Sequence, residues 1–132
     1  VTCHSSNLKS LKNIDIYIVD TYGETKKFHK IGSTVFLGGS IIKRGGQNPL
    51  EAARFGAKIL HGPNVNNFTE IYKLLKFYNV SKKINSPNEL ASSIVFKKNK
   101  ITGNRIKKIG ENILKKTIKD LDKIFNNEFK KA

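Results

Sequence analysis

The residues that could do chemistry in this sequence cluster between Tyr22 and Glu51. Tyr22-Gly23-Glu24 follows one β-branched and aromatic run, and Gly38-Gly39-Ser40 follows a second. Gly45-Gly46 comes just before Asn48-Pro49-Leu50-Glu51. Glycine loses the most backbone freedom on folding, and a strand-to-helix connection of about 2–6 residues does not need two pairs of it. Such glycines let the backbone approach a ligand closely, and the free amides of a helix start attract phosphate. The spacing predicts a phosphate or nucleotide pocket, with a loop over about 40–47 set against a helix opened by Asn48. Glu51 also has a plainer role open to it, as the acidic residue of a capped helix start, because Asn67/Glu70 and Ser86/Glu89 repeat that pattern. There is no Gly-Lys-Ser/Thr and no intact Gly-x-Gly-x-x-Gly, and no cofactor is expected. Cys3-His4 has no second Cys/His pair nearby, and His29 and His61 stand alone, so no metal site is expected. Asp120-Leu121-Asp122 resembles a metal-holding Asp-x-Asp, but residues two apart on a helix face different ways, and it reads as a solvated helix face.

The elements that must position these residues follow from periodicity and punctuation. Ile14 to Val19 reads as a strand, followed by a short helix opened by a Thr21/Glu24 capping box and running to about Lys30. Ser33 to Leu37 is a second strand, stopped by Gly38-Gly39. Asn48 caps a helix with Pro49 at its first position, and Gly56 ends it. Lys58 to Leu60 is a third strand, with a turn at His61-Gly62-Pro63. A helix capped by Asn67 carries Ile71, Leu74, Leu75 and Tyr78 at helical spacing, and Val80 to Ile84 is a short strand. Ser86 opens a helix to about Lys97. The last helix spans about 104–125, with Ile106, Ile109, Ile113, Leu121 and Phe125 as one apolar stripe and lysines opposite. Continuous apolar strands alternating with helices indicate an α/β fold, a Rossmann-like parallel sheet forming the second half of a doubly wound one. Ligands of such sheets bind beyond the carboxyl ends of the strands, where both glycine features lie.

Bulk properties bound the function. The 132 residues suffice for one domain, 1–132, with a real core, and no apolar run approaches the ~20 residues of a membrane-spanning helix. No signal peptide is visible and there is no Met, so a piece of a longer chain is expected. Twenty-five Lys+Arg against 10 Asp+Glu give +15, which attracts nucleic acid, anionic membrane or phosphorylated substrates. Enrichment in Lys, Asn and Ile together, as in AT-rich genomes, accounts for part of that charge. Interleaved aromatics on a basic stripe and any known nucleic-acid motif are missing, so nucleic acid is not the expected partner.

Asp15 to Glu24 (DIYIVDTYGE) and Val35 to Leu75 (VFLGGSIIKRGGQNPLEAARFGAKILHGPNVNNFTEIYKLL) resemble, in residues and spacing, the C-terminal part of 3-deoxy-D-manno-octulosonic acid (Kdo) transferases. The resemblance covers most of 14–78. It implies a partial C-terminal domain of a two-domain glycosyltransferase B-type fold, roughly the last third of the enzyme. It also implies transfer of Kdo from CMP-Kdo to a lipid A precursor at the cytoplasmic face of the bacterial inner membrane. Carried over by residue, Tyr22, Gly23, Glu24, Asn48, Pro49, Leu50 and Glu51 match CMP-binding segments, with Glu51 accepting hydrogen bonds from the ribose and Gly39 and Ser40 near the phosphate. Gln47 departs from the family's usual His and cannot titrate. The family's catalytic carboxylate lies in the N-terminal domain, so no catalytic residue is expected here. Another nucleotide-sugar transferase of the same fold, or a basic nucleic-acid-binding module, are the rival readings.

Overall fold

The structure, a computed structural model, describes residues 1–6 and 12–129. Ile59 and Leu60 are successive residues of one strand and therefore face opposite sides of the sheet, yet neither has any exposure. That strand, β4 (Lys58–His61), is the centre of a three-stranded parallel sheet with β3 (Thr34–Leu37) and β5 (Ser81–Lys83) on either side. The register runs from Thr34 opposite Lys58 to Leu37 opposite His61, and from Ile59 opposite Ser81 to His61 opposite Lys83. A separate parallel pair, β1 (Thr2–Cys3) and β2 (Tyr17–Ile18), precedes it. The parallel α/β architecture is as the sequence indicated, but the strands divide into two sheets instead of one.

Among the described residues five α-helices connect and cover the strands: α1 (Thr25–Ile31), α2 (Leu50–Arg54), α3 (Thr69–Phe77), α4 (Pro87–Ser93) and α5 (Lys100–Phe129). Leu37, Ala52, Ala53, Ala57, Ile59, Tyr72, Leu75, Val80 and Ile106 form the core. The small side chains of Ala52 and Ala53 bring α2 close to β4 and to α5, which crosses α2 at a glycine contact. A Cβ on Gly103 would stand 2.7 Å from the Gly56 nitrogen. Gly56 takes φ +80° and ends α2, as expected.

Several local expectations are corrected. The strand expected over 14–19 pairs only at Tyr17–Ile18, the reach of its two-residue partner β1. Thr21 caps nothing. Gly23 turns at φ +83°, and Glu24 occupies the cap position of α1 without a side-chain bond. Asn67 is not a helix cap either, since α3 begins after a 3₁₀ turn, Asn66–Phe68. Ser86 does cap α4, its hydroxyl accepting from the Glu89 amide at 3.1 Å. That helix stops at Ser93, short of Lys97, because Thr34 Oγ1 donates to the Val95 carbonyl at 2.8 Å and accepts from its amide at 2.9 Å, drawing the chain into extended form. Asn99 opens α5 earlier than expected, its Oδ1 accepting from the Thr102 amide at 3.0 Å. Of the apolar stripe on α5, Ile106 is in the core and Ile109 half-buried. Ile113, Leu121 and Phe125 are exposed, as is every residue from Glu111 to Asn127, because nothing described lies against that half of the helix.

Candidate functional site

The glycine loop and the start of α2 are built as one unit. Ser40 is fully buried; its hydroxyl donates to the Leu37 carbonyl and accepts from the Gly62 amide at 2.6 Å, tying the end of β3 to the end of β4. A side chain at Gly62 would strike the Ser40 carbonyl oxygen, 2.6 Å from the added Cβ. Gly39 lies against the loop's far end, a Cβ there meeting the Gly45 carbonyl oxygen at 3.4 Å. Two asparagines after β4 pin the loop. Asn64 Nδ2 donates to the Ile41 carbonyl at 3.0 Å. The Asn67 amide grips Gly46 from both sides, Oδ1 accepting from its N–H at 2.9 Å and Nδ2 donating to its carbonyl at 2.8 Å. These asparagines were not read as site-forming. Their signal is the cluster Asn64-Val65-Asn66-Asn67 directly after the Gly-Pro turn.

Asn-Pro-Leu-Glu divides its labour. Pro49 is fully buried and Leu50 packs against the core, while Asn48 and Glu51 face solvent. Asn48 Oδ1 accepts from the Leu50 amide at 3.0 Å in a turn just ahead of α2, whose cap position is Pro49 and not, as expected, Asn48. Glu51 makes no such bond. Its Oε2 lies 3.8 Å from Nδ1 of His29, a buried ring nitrogen without a hydrogen-bond partner. His29 is therefore not isolated; it links the last turn of α1 to the first turn of α2. Glu51 and Lys26 share a groove of about 530 Å³ between α1, α2 and α5.

Among the described residues the nine predicted residues lie in two places, at the start of α1 and at the glycine loop with the start of α2. Tyr22 and Gly23 stand on an exposed turn at the opposite end of α1 from His29, and Glu24 is half-buried there beside Lys27, 2.8 Å away. The Lys27 contact holds the Glu24 carboxyl below its usual range. Ser40 is fully buried, with its hydroxyl turned inward and its carbonyl accepting from the Asn64 amide at 2.9 Å, so it shapes the loop and presents no surface of its own. The crevice beyond the carboxyl ends of β3 to β5 holds about 490 Å³ and is bordered mainly by the apolar Phe36, Ile41, Pro63, Ile84 and Leu90, with Asn85 and Ser86 as its polar members. Among the described residues no group of three or more His, Cys, Asp and Glu could hold a metal ion. Asp120 and Asp122 are both exposed on α5, Asp120 lying 3.8 Å from Lys123.

No family model matches the chain. Among curated proteins, the 3-deoxy-D-manno-octulosonic acid transferase of Rickettsia prowazekii is 35% identical over 114 residues, 86% of this chain and 24% of that protein. The Rickettsia bellii protein of the same name is 36% identical over 114 residues, 86% of this chain and 27% of that protein. The chain is similar to the Kdo transferases. A third, from Haemophilus influenzae, is 35% identical over 71 residues, 54% of this chain and 17% of that protein. The chain thus spans about a quarter of the length of the Kdo transferases it matches, less than the third expected. In structure it matches the C-terminal CMP-Kdo binding domain of WaaA from Acinetobacter baumannii with a TM-score of 0.64 and 22% identity, over 70% of this chain and 49% of that one. That is a likeness of fold, and it agrees with a partial C-terminal domain of a B-type glycosyltransferase. No helix among the described residues is long and apolar enough to cross a membrane.

Proposed function

We propose that this chain is the donor-binding part of a glycosyltransferase that moves Kdo from CMP-Kdo to a lipid A precursor in lipopolysaccharide synthesis. The observation that carries the reading is the 35% identity to a Kdo transferase over 86% of the chain, a span that includes the glycine loop and the start of α2. Residues 1–132 form one donor-binding unit, and the rest of the enzyme supplies the acceptor-binding domain and the catalytic carboxylate. Glu51, steadied by His29, accepts hydrogen bonds from the ribose. Asn48, Pro49 and Leu50 set the α2 start that carries Glu51, while Gly39 gives the phosphate close access and the buried Ser40 holds the loop beneath it. Tyr22, Gly23 and Glu24 close the nucleotide from the α1 side. An acceptor hydroxyl, deprotonated by the carboxylate outside this chain, attacks the anomeric carbon of Kdo, the bond to the CMP phosphate breaks, and CMP leaves with inversion. This chain's share is to hold the leaving group and stabilise its charge.

The apolar half-helix from Ile113 to Phe125 fits a cover provided by the N-terminal domain of such an enzyme, and the lysines on its other face fit an anionic membrane at the cytoplasmic side of the bacterial inner membrane. Titration of the full enzyme with CMP, UDP and GDP tests the reading: CMP should bind tightest, and equal binding of all three would sink it. The isolated chain should turn over no CMP-Kdo, because the base is elsewhere. A steep salt slope with no nucleotide preference would favour a nucleic-acid-binding module instead.

A further inference from the structure

Between α3 and the edge strand β5 runs a groove of about 550 Å³ that shares no residue with the nine candidates above. Lys58 of β4, Lys82 and Lys83 of β5, and Lys73 and Lys76 of α3 line it, and no carboxylate does. Lys73 is paired with Glu70 at 2.7 Å and Lys82 with Glu89 at 3.6 Å, while Lys58 donates to the Asn79 carbonyl at 2.8 Å. The ammonium groups of Lys76 and Lys83 make no ion pair or hydrogen bond among the described residues. His61 borders the same groove and is only 8% exposed. Its Nδ1 donates to the Gly62 carbonyl at 2.7 Å, which leaves Nε2 as the unprotonated nitrogen of the neutral ring, with no partner among the described residues. The Tyr72 ring packs 4.4 Å from it, and burial pushes that phenol up to about 12, so Tyr72 adds no negative charge.

Lysines on an exposed edge strand ordinarily serve to block pairing with another sheet. That accounts for Lys82 and Lys83. It does not account for Lys76 on α3 or for a buried imidazole with an open nitrogen, while Lys58, which leaves β4 on the face opposite His61, has its own bond to Asn79. We propose that this groove is a binding site for a doubly charged oxyanion of the phosphate class, held by Lys76 and Lys83 with His61 Nε2 against it. Burial, with Lys83 adding to it, keeps the His61 pKa below its ordinary value. An anion among these groups reverses that cost, so His61 takes up a proton as the anion binds.

Sulfate is the probe, because it stays doubly charged across the range where His61 titrates. Calorimetric titration of the whole chain should give saturable binding that strengthens about tenfold from pH ~8 to ~5.5, one unit of His61 pKa shift. Lys76→Gln with Lys83→Gln, both exposed and without structural bonds, should weaken it at least about tenfold at every pH. His61→Gln should leave binding at high pH and flatten its pH dependence. Vesicles bearing a phosphate-monoester lipid, added in competition, name the source: displacement of sulfate assigns a lipid headgroup, and no displacement assigns a soluble phosphate. Binding that never saturates, or that survives the double lysine change intact, overturns the site. So does an equal loss when Lys115 and Lys116 on α5 are changed instead.

Discussion

Glu51 shows how far a residue can be read from its neighbours in sequence. Its position two after a proline in an Asn-Pro start fits a helix-cap role as well as a ligand role. The structure separates the two, because Asn48 takes the free amide and Glu51 makes only the loose contact with His29. Glu51→Gln should therefore weaken CMP binding to the full enzyme by about 1–3 kcal/mol, the cost of a hydrogen bond to a charged group, while its melting temperature holds. Unchanged CMP affinity would return Glu51 to the helix. Glu89 allows a prediction about acid. Its carboxylate accepts from the Asn85 amide at 2.9 Å and lies near Lys82, and these hold its pKa below 4.5, the Asn85 amide most. A depressed carboxylate stabilises the fold above its unfolded pKa, and that contribution is lost as pH falls through the folded value. Denaturant midpoints should therefore fall below about pH 4.5, and the fall should be shallower in Glu89→Gln; parallel pH curves would refute this. The loop's fastening was not legible. Asn67 reads as a cap by local rules, and its clamp on Gly46, 21 residues away, is a tertiary bond that no local pattern encodes.

At the scale of elements, existence and order were readable and ends were not. The strands β3, β4 and β5 and the helices between them stand where the apolar runs put them, although neither Asn48 nor Asn67 takes its expected cap position. The misplaced ends of β2 and α4 trace to distant partners, the two-residue β1 and the Thr34 hydroxyl, while the start of α1 is set locally by the turn at Gly23. The crossing of α2 and α5 carries a further prediction. Gly103→Ala sets a methyl against backbone, 2.7 Å from the Gly56 nitrogen and 3.0 Å from the Arg54 carbonyl oxygen. It should destabilise the chain by about 1–3 kcal/mol. Gly110→Ala, on the same helix, meets first the mobile guanidinium of Arg54 at 2.8 Å and should stabilise by up to about 1 kcal/mol through helix propensity. Chemical denaturation compares the two; equal effects would mean that the crossing tolerates a wider spacing.

For the whole molecule, composition indicated a polyanionic partner without locating the contact. On α5, Lys108, Lys115, Lys116, Lys119 and Lys123 fall on one side of the helix, while Ile106, Ile113, Leu121 and Phe125 fall on the other, at about 100° per residue. Lys130 and Lys131, which the sequence places with these lysines, lie outside the described residues. The two faces can thus meet two different surfaces at once. Each lysine near an anionic leaflet contributes about 1 kcal/mol, falling off within ~10 Å at 0.1 M salt. Liposome sedimentation should show binding that rises with anionic lipid, falls with salt, and drops when Lys115, Lys116, Lys119 and Lys123 become Gln. Equal binding to neutral liposomes would dismiss the lysine face. The exposed outer half of α5 was not legible, because an apolar stripe specifies that something covers it but not whether the cover lies within the same stretch of chain.

The outer part of α5, from Glu111 to Asn127, extends roughly 25 Å beyond its seat, exposed throughout, and among the described residues only contacts within the helix hold it. A helix without tertiary support frays from its open end, and fraying moves inward toward Ile106, the plug of the core. Whatever seats on the outer half arrests that fraying, so a contact made far from the sheet slows local opening at the core. Deuterium exchange should report it: amides of Asn104 to Gly110 exchange more slowly in the full enzyme than in this chain alone, while those of β1 and β2 do not change. Equal slowing at both places would mean that α5 transmits nothing in particular.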